Sequence, residues 1–279
     1  MREMSRKARR LRPASLLGVV AALGVLVIAQ RLEGGTVDML LRGSAAVIVL
    51  GGTLVATLIS FSIGDAARAL RLAADAFLRE EAPLSDLTTD LVRLSVRAHR
   101  DGVVALESEL DAIDDSFLRV GLALAVDGVE PAVMKGILQA EMRGRDAHDD
   151  LPVRLFESAA GYAPTFGILG AVLGLIQVMN NLATPSAIGA GIGVAFVATV
   201  YGLGLANLLL LPVAGRLRER ALAASQRRQM MADAIVALQQ RQNPRLVAQA
   251  LRTTVPALGR LDAAAARTLQ PAGLERLPA

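Results

Sequence analysis

Four stretches of the chain are almost uninterruptedly apolar: Ala14 to Ala29, Gly43 to Gly64, Ser158 to Met179 and Ile188 to Gly215. A helix needs about 20 residues to cross the hydrocarbon core. The last three stretches reach that length, and the first does so when extended to Gln30 or Leu32. The pattern predicts four transmembrane helices. Between the second and third, apolar residues recur at helical spacing with charges between them, as in AARALRLAADAFLREE from Ala66. A break is expected at Pro83, then a new helix capped by Ser85 or Asp86. DLVRLSVRAHRDGVVALESELDAI reads as two short helices meeting near Gly102. The segment from Asp114 to Asp150 reads as amphipathic helices broken at Asp127 to Pro131, with LALAV too short to span and therefore core. After the fourth stretch, RLRERALAASQRRQMMADAIVALQQR continues the helix in good helix formers. Asn243 followed by Pro244 predicts an N-cap and first turn of a last helix through Leu251, and past Pro256 the composition suggests a loose end. Strand signals are weak throughout. The expected fold is an all-α integral membrane protein: four transmembrane helices, a helical cytoplasmic domain between the second and third, and a cytoplasmic helical tail.

Charge orients this arrangement. Arg2, Arg6, Lys7, Arg9, Arg10 and Arg12 precede the first apolar stretch and place the N-terminus in the cytoplasm. A cleaved signal peptide is not expected, because no clean small-residue cleavage site precedes Arg31 and a second span follows at once. RLEGGTVDMLLR and NLATPSA become short external loops, and the C-terminus is cytoplasmic. The resulting division is 1–13 as a basic N-terminus, 14–64 as the first two spans, 65–157 as a cytoplasmic domain, 158–215 as the last two spans and 216–279 as a cytoplasmic tail. Composition agrees: the chain is 53% hydrophobic and 20% charged, too apolar for an ordinary soluble protein of 279 residues. Aromatics make up only 3% and Trp is absent, so length and charge rather than an aromatic belt locate the spans. The pI near 10.2 reflects basic residues that flank apolar runs or alternate with acids, which argues against nucleic acid as a partner. With no cysteine and two histidines, neither a metal site nor a cofactor is expected, and nothing points to an enzyme.

No Asp, Glu, Lys, Arg or His lies between Glu157 and Arg216. Ion pathways through bilayers carry ionisable groups, so a proton carrier in this pair of spans has to come from another chain. Pro164 and Pro212 each remove a backbone donor and can kink a span, while Thr199 offers a hydroxyl that could equally bond its own preceding turn. Tyr201, one of two tyrosines, lies on the same span. Gly167, Gly170 and Gly174, like Gly189 and Gly193, recur at spacings that let membrane helices pack closely.

APTFGILGAVLGLIQVMNNL, followed by AIGAGIGVAFVATVYGLGLANLLLLPVAGRL, closely resembles the flagellar motor stator subunits of the MotA, TolQ and ExbB proton-channel superfamily. EGGTVDMLLRGSAAVIVLGGTL, AHRDGVVALE and IVALQQRQNPRLVAQAL extend the resemblance over nearly the whole chain. It implies a homopentameric ring in the inner membrane around a MotB-like subunit, whose aspartate carries the ion. The family's two functional prolines fall on Pro164 and Pro212, and its pore threonine on Thr199. A second threonine of sodium-driven members is replaced by Ala171, which implies protons as the coupling ion. Tyr201 is grouped with these ion-path residues. Contact with the rotor protein FliG falls on His99, Arg100 and Glu107. His99 stands where an arginine is usual, so a titrating charge replaces a fixed one, and Arg100 or Arg97 could supply the steady charge. The alternative within the superfamily is an ExbB- or TolQ-like energiser of outer-membrane processes, with three spans and an external N-terminus. A solute transporter fits poorly with four spans, no internal charged site and a heavy cytoplasmic mass.

Overall fold

The computed structural model describes residues 13–32, 34–78, 84–183 and 185–254. The basic segment before Pro13, the break expected at Pro83 and the end past Pro256 lie outside them. Among the described residues there is no strand. The helices are α1 (Pro13–Leu32), α2 (Gly43–Ser60), α3 (Ile63–Leu78), α4 (Leu84–Asp101), α5 (Ser116–Val126), α6 (Pro131–Asn180), α7 (Pro185–Gly204), α8 (Leu211–Gln239) and α9 (Pro244–Thr254). A π-helical stretch, Leu205–Leu210, joins α7 to α8 without a break. A second one, Val47–Gly51, lies inside α2.

α1 occupies the first apolar run in 20 residues. Among the described residues, three helices are long and apolar enough to cross a membrane: Gly43–Ser60, Pro131–Asn180 and Ile188–Gln239. The second apolar run ends at Ser60 rather than Gly64. Phe61 is extended (φ −132°, ψ 150°), and Ser62 starts α3 by accepting from the Asp65 N–H at 3.1 Å while donating to its carboxylate at 2.7 Å. Ser62 is thus the N-cap of α3, its hydroxyl bound to both the N–H and the carboxylate of the third helical residue, and this polar signal outweighs the continuity of the apolar pattern.

The chain forms two compact units, Met1–Glu80 with Ala147–Leu222, and Glu81–Asp146 with Ala223–Ala279. In the second unit, Leu91, Leu94, Phe117, Leu138, Met230 and Ile235 centre the core. Gly121 lets α5 approach α8, since a Cβ there would stand 2.4 Å from Ile235 Cδ1. LALAV does join this core, through Leu122 and Ala125.

Local signals explain most boundaries here. Ser85 and Asp86 do not cap α4: the helix already begins at Leu84, which places both in its first turn. Asp86 there still complements the helix dipole. Gly102 has φ +87°, a conformation that favours glycine, and two helices meet there as expected, the second of them, Val103–Ala112, being a 3-10 helix. Leu106, fully buried, anchors that run. Asp115 caps α5 by accepting from the Phe117 and Leu118 N–H groups at 2.9 and 3.0 Å. The break at 127–130 is as expected, with Gly128 at φ +72° and Pro131 opening α6. Asn243 accepts from the Arg245 N–H at 2.9 Å, so the cap of α9 also stands where the sequence placed it.

Candidate functional site

The apolar half of α6 packs along α7 through residues too small to hold the backbones apart. A Cβ on Gly174 would lie 2.9 Å from Gly191 O and 3.0 Å from Ala195 N. One on Gly167 would lie 3.0 Å from Ala198 O, and one on Gly170 would lie 2.7 Å from the Ala198 methyl. Gly202 is hemmed in by backbone alone: a Cβ would meet Ala163 O at 2.7 Å and the Cα atoms of Pro164 and Gly167 at 3.1 Å. The α6 glycines therefore pack as their spacing predicts. On α7 the seam is made by Gly191, Ala195, Ala198 and Gly202 rather than by Gly189 and Gly193. A Cβ on Gly189 would find nothing within 4 Å, and Gly193 faces the Arg42 guanidinium. Gly191 sits two residues from each of them, about 200° around the helix. In a stretch that is small on every side, spacing alone does not fix the facing side.

Pro164, Gly167 and Thr199 converge at one level of this seam: a Cβ on Gly167 would lie 3.4 Å from Thr199 Cα. Ala171 follows Pro164 by seven residues on α6, two turns along the same face. Pro164, Ala171 and Thr199 are all half-buried. The Thr199 hydroxyl donates to Ala195 O at 3.2 Å, so its rest state is the local bond common for a helical threonine. Tyr201 points elsewhere. Its hydroxyl donates to Leu40 O at 2.5 Å and accepts from the Arg42 N–H at 3.4 Å, pinning the segment that enters α2. Pro212 is exposed near the start of α8, directly after the π-helical stretch. A wider turn is a known way for a helix to accommodate a residue that lacks an N–H and crowds the carbonyl four residues back.

Sequence reasoning missed two further contacts. Phe166 fills the space a side chain at Gly52 would occupy, with ring atoms 2.3 Å from that Cβ position. Ser60 and Tyr162 share a hydrogen bond of 2.9 Å between α2 and α6. The Gly51–Gly52 pair was the available signal for the first, and nothing local marks the second.

The charged surface of the second unit is organised around Glu109. Its carboxylate accepts from Arg93 Nη1 at 2.5 Å and from Arg97 Nη1, and Arg97 Nη2 also donates to Ser108 at 3.2 Å. The 3-10 helix is thereby clasped to α4. Burial pushes the Glu109 carboxyl up, but the hydrogen bonds and charges of the two arginines outweigh it, and the group titrates below its ordinary value. Arg100 is held by its neighbour, Nε to Asp101 Oδ1 at 2.9 Å and Nη2 to Oδ2 at 3.0 Å, which lowers the Asp101 carboxyl. Both basic candidates for a steady charge are therefore matched by acids. Among the described residues, His99 and Glu107 are exposed and make no ion pair.

A folded-state value below the unfolded one means that Glu109 contributes stability above about pH 4.3, the ordinary glutamate value, and loses it as pH falls through the folded value. Glu109→Gln is expected to cost roughly 1–2 kcal/mol at neutral pH and to flatten that acid limb. The effect is moderate because the Arg93 and Arg97 side chains are 57% and 39% exposed. Denaturant unfolding of the detergent-solubilised protein between pH 3 and 7 measures it; an acid limb as steep in the variant as in the wild type would exclude this role.

Among the described residues there is no group of three or more His, Cys, Asp or Glu that could hold a metal ion. A model of the MotA/TolQ/ExbB proton channel family matches residues 109–230. The chain is 30% identical to chemotaxis protein PomA of Vibrio alginolyticus over 234 residues, 84% of this chain and 91% of that protein. It is 29% identical to motility protein A of Bacillus subtilis over 248 residues, 88% and 92% of the two chains. Among solved structures, the flagellar MotAB stator complex from Bacillus subtilis superposes with a TM-score of 0.80 at 29% identity, covering 89% of this chain and 98% of that one. The C. jejuni MotAB structure gives 0.81 at 25% identity, covering 88% and 96%. The chain shares this helical architecture with the two MotAB structures over nearly nine-tenths of its length, and it belongs to the MotA/TolQ/ExbB proton channel family.

Proposed function

We propose that this chain is the stator subunit of a flagellar motor, which with a MotB-like partner couples inward proton flow across the inner membrane to torque on the rotor. One observation carries the reading. The helix pair has no Asp, Glu, Lys, Arg or His between Glu157 and Arg216, so the proton carrier is lent by the partner's aspartate. That the solved neighbours are MotAB stator complexes supports the motor over an ExbB- or TolQ-like energiser.

In this reading α1, α2, the apolar part of α6 and α7 make four spans, with both termini in the cytoplasm. Five copies surround the partner. Protons pass beside its aspartate at the level of Pro164, Ala171 and Thr199, while Tyr201 braces the outer loop and Pro212 marks the inner end of the fourth span. The absence of a hydroxyl at Ala171 favours protons over sodium. His99, Arg100 and Glu107, exposed on the soluble unit, meet FliG. Each neutralisation of the partner's acid lets the ring advance, and a potential of 100 mV supplies about 2.3 kcal/mol per charge.

Deleting the gene in a strain without a paralogue tests this directly. Flagella are expected to assemble but not turn, and a plasmid copy to restore rotation, whereas Pro164→Ala and Glu107→Lys copies restore little. Wild-type swimming in the deletion strain would overturn the motor reading.

A further inference from the structure

The ion pairs that join α6 to α8 include one in each unit. In the first unit Arg218 Nη2 reaches Glu157 Oε1 at 2.5 Å. In the second, Arg228 donates from Nε and Nη2 to one oxygen of Asp146, at 3.1 and 2.7 Å, and Ser225 donates to the other oxygen at 3.0 Å. The rungs match in spacing: eleven positions separate Asp146 from Glu157 on α6, and ten separate Arg218 from Arg228 on α8.

The two rungs differ in burial. The difference lies in the arginines: Arg218 is 55% exposed and Arg228 11%, while Glu157 and Asp146 are alike at 35% and 38%. An exposed pair holds geometry weakly. A buried guanidinium that gives two donors to one carboxylate oxygen, while Ser225 takes the other, is held to a narrow geometry. Such a group adds little net stability for its size but defines one arrangement.

That arrangement matters because of where the helices run. α6 continues from the glycine seam into the second unit, and α7 does so through the π-helical stretch and α8. The seam itself holds its two helices by van der Waals contact. If α6 and α8 could slip past each other, a shift at Pro164 and Thr199 would be absorbed as slip. Resting on the stator reading above, we propose that Asp146, Arg228 and Ser225 form a positioning lock that fixes the register of α6 against α8, so that movement of the seam reaches the soluble unit as torque.

The test reads single motors. Cells lacking the chromosomal gene carry a plasmid copy under induction, and a bead on a flagellar stub records the speed increments as stators join under high load. Increment height reports torque per stator, and increment number reports assembly. Ser225→Ala, Arg228→Lys and Arg228→Gln are expected to lower the height progressively, with Glu157→Gln at the exposed rung causing the smallest loss. Increments of full height that merely become fewer would show a stabilising role only and overturn the proposal. Should Arg228→Gln fail to assemble, Arg228→Lys decides by the same criterion. A wild-type copy that restores no increments at all would instead sink the stator reading, and the lock with it.

Discussion

Reconstituted alone into liposomes under an inside-negative potential, the chain is expected to pass no protons above the lipid background; adding the MotB-like partner is expected to start the flux. The hydroxyls of Thr199 and Tyr201 on α7 are already engaged. Thr199 bonds to Ala195 O, and Tyr201 is held between Leu40 O and the Arg42 N–H. Nothing on the chain between Glu157 and Arg216 can take a charged proton in transit. Moving a bare charge to the bilayer centre costs several kcal/mol, more than the roughly 2.3 kcal/mol that 100 mV returns per charge. The seam offers no aqueous shortcut, because Gly167, Gly170, Gly174 and Gly202 bring the two backbones to contact distance. A pH-sensitive dye inside the vesicles reads the result. Asparagine in place of the partner's aspartate should return the flux to background, and robust conduction by the isolated chain would refute the borrowed-acid mechanism.

What the sequence made legible, and what it hid, divides along one physical line. Features set by neighbours in the chain were readable: the Asn243–Pro244 start of α9, the break at Gly128, and the helical run out of the fourth apolar stretch. The missing acid was readable too, since an absence along the chain is an absence in the fold. Features set by the phase of one helix against another were not. The stretch from Pro185 to Gly204 is small or apolar on every side, so choosing Gly189 and Gly193 over Gly191 and Gly202 needed the rotation of α7, which only packing supplies. The role of Glu109 in clasping the 3-10 helix to α4 was hidden for the same reason. Two residues apart on that helix, Glu109 turns toward Arg93 and Arg97 and Glu107 toward solvent. The end of α2 at Ser60 shows a third cause, a short polar signal at Ser62 overriding an apolar average.

Gly202→Ala is expected to be the most damaging single methyl in the chain. The added carbon would stand 2.7 Å from Ala163 O and 3.1 Å from the Cα atoms of Pro164 and Gly167, and all three are backbone atoms. No rotamer change relieves that contact, and Pro164 stiffens the main chain opposite by fixing its φ. The helices must separate instead, and separation is transmitted along the seam to Gly170 against Ala198 and Gly174 against Gly191. Helices in lipid associate largely through such close packing, and a gap of half an ångström to one ångström already forfeits roughly a quarter to a half of each contact. Overpacking of this kind costs roughly 1–3 kcal/mol at a single site, and here it falls directly on Pro164 and on Gly167, which packs against Thr199. Two comparisons isolate the cause. Gly189→Ala, where a Cβ meets open space, is expected to be close to neutral, and Gly121→Ala, which meets the movable Cδ1 of Ile235, to be intermediate. Thermal unfolding of the three purified variants, together with rotation of cells carrying them, gives the order. A Gly202→Ala protein that melts with Gly189→Ala and still drives rotation would show that the α6–α7 seam does not govern the path.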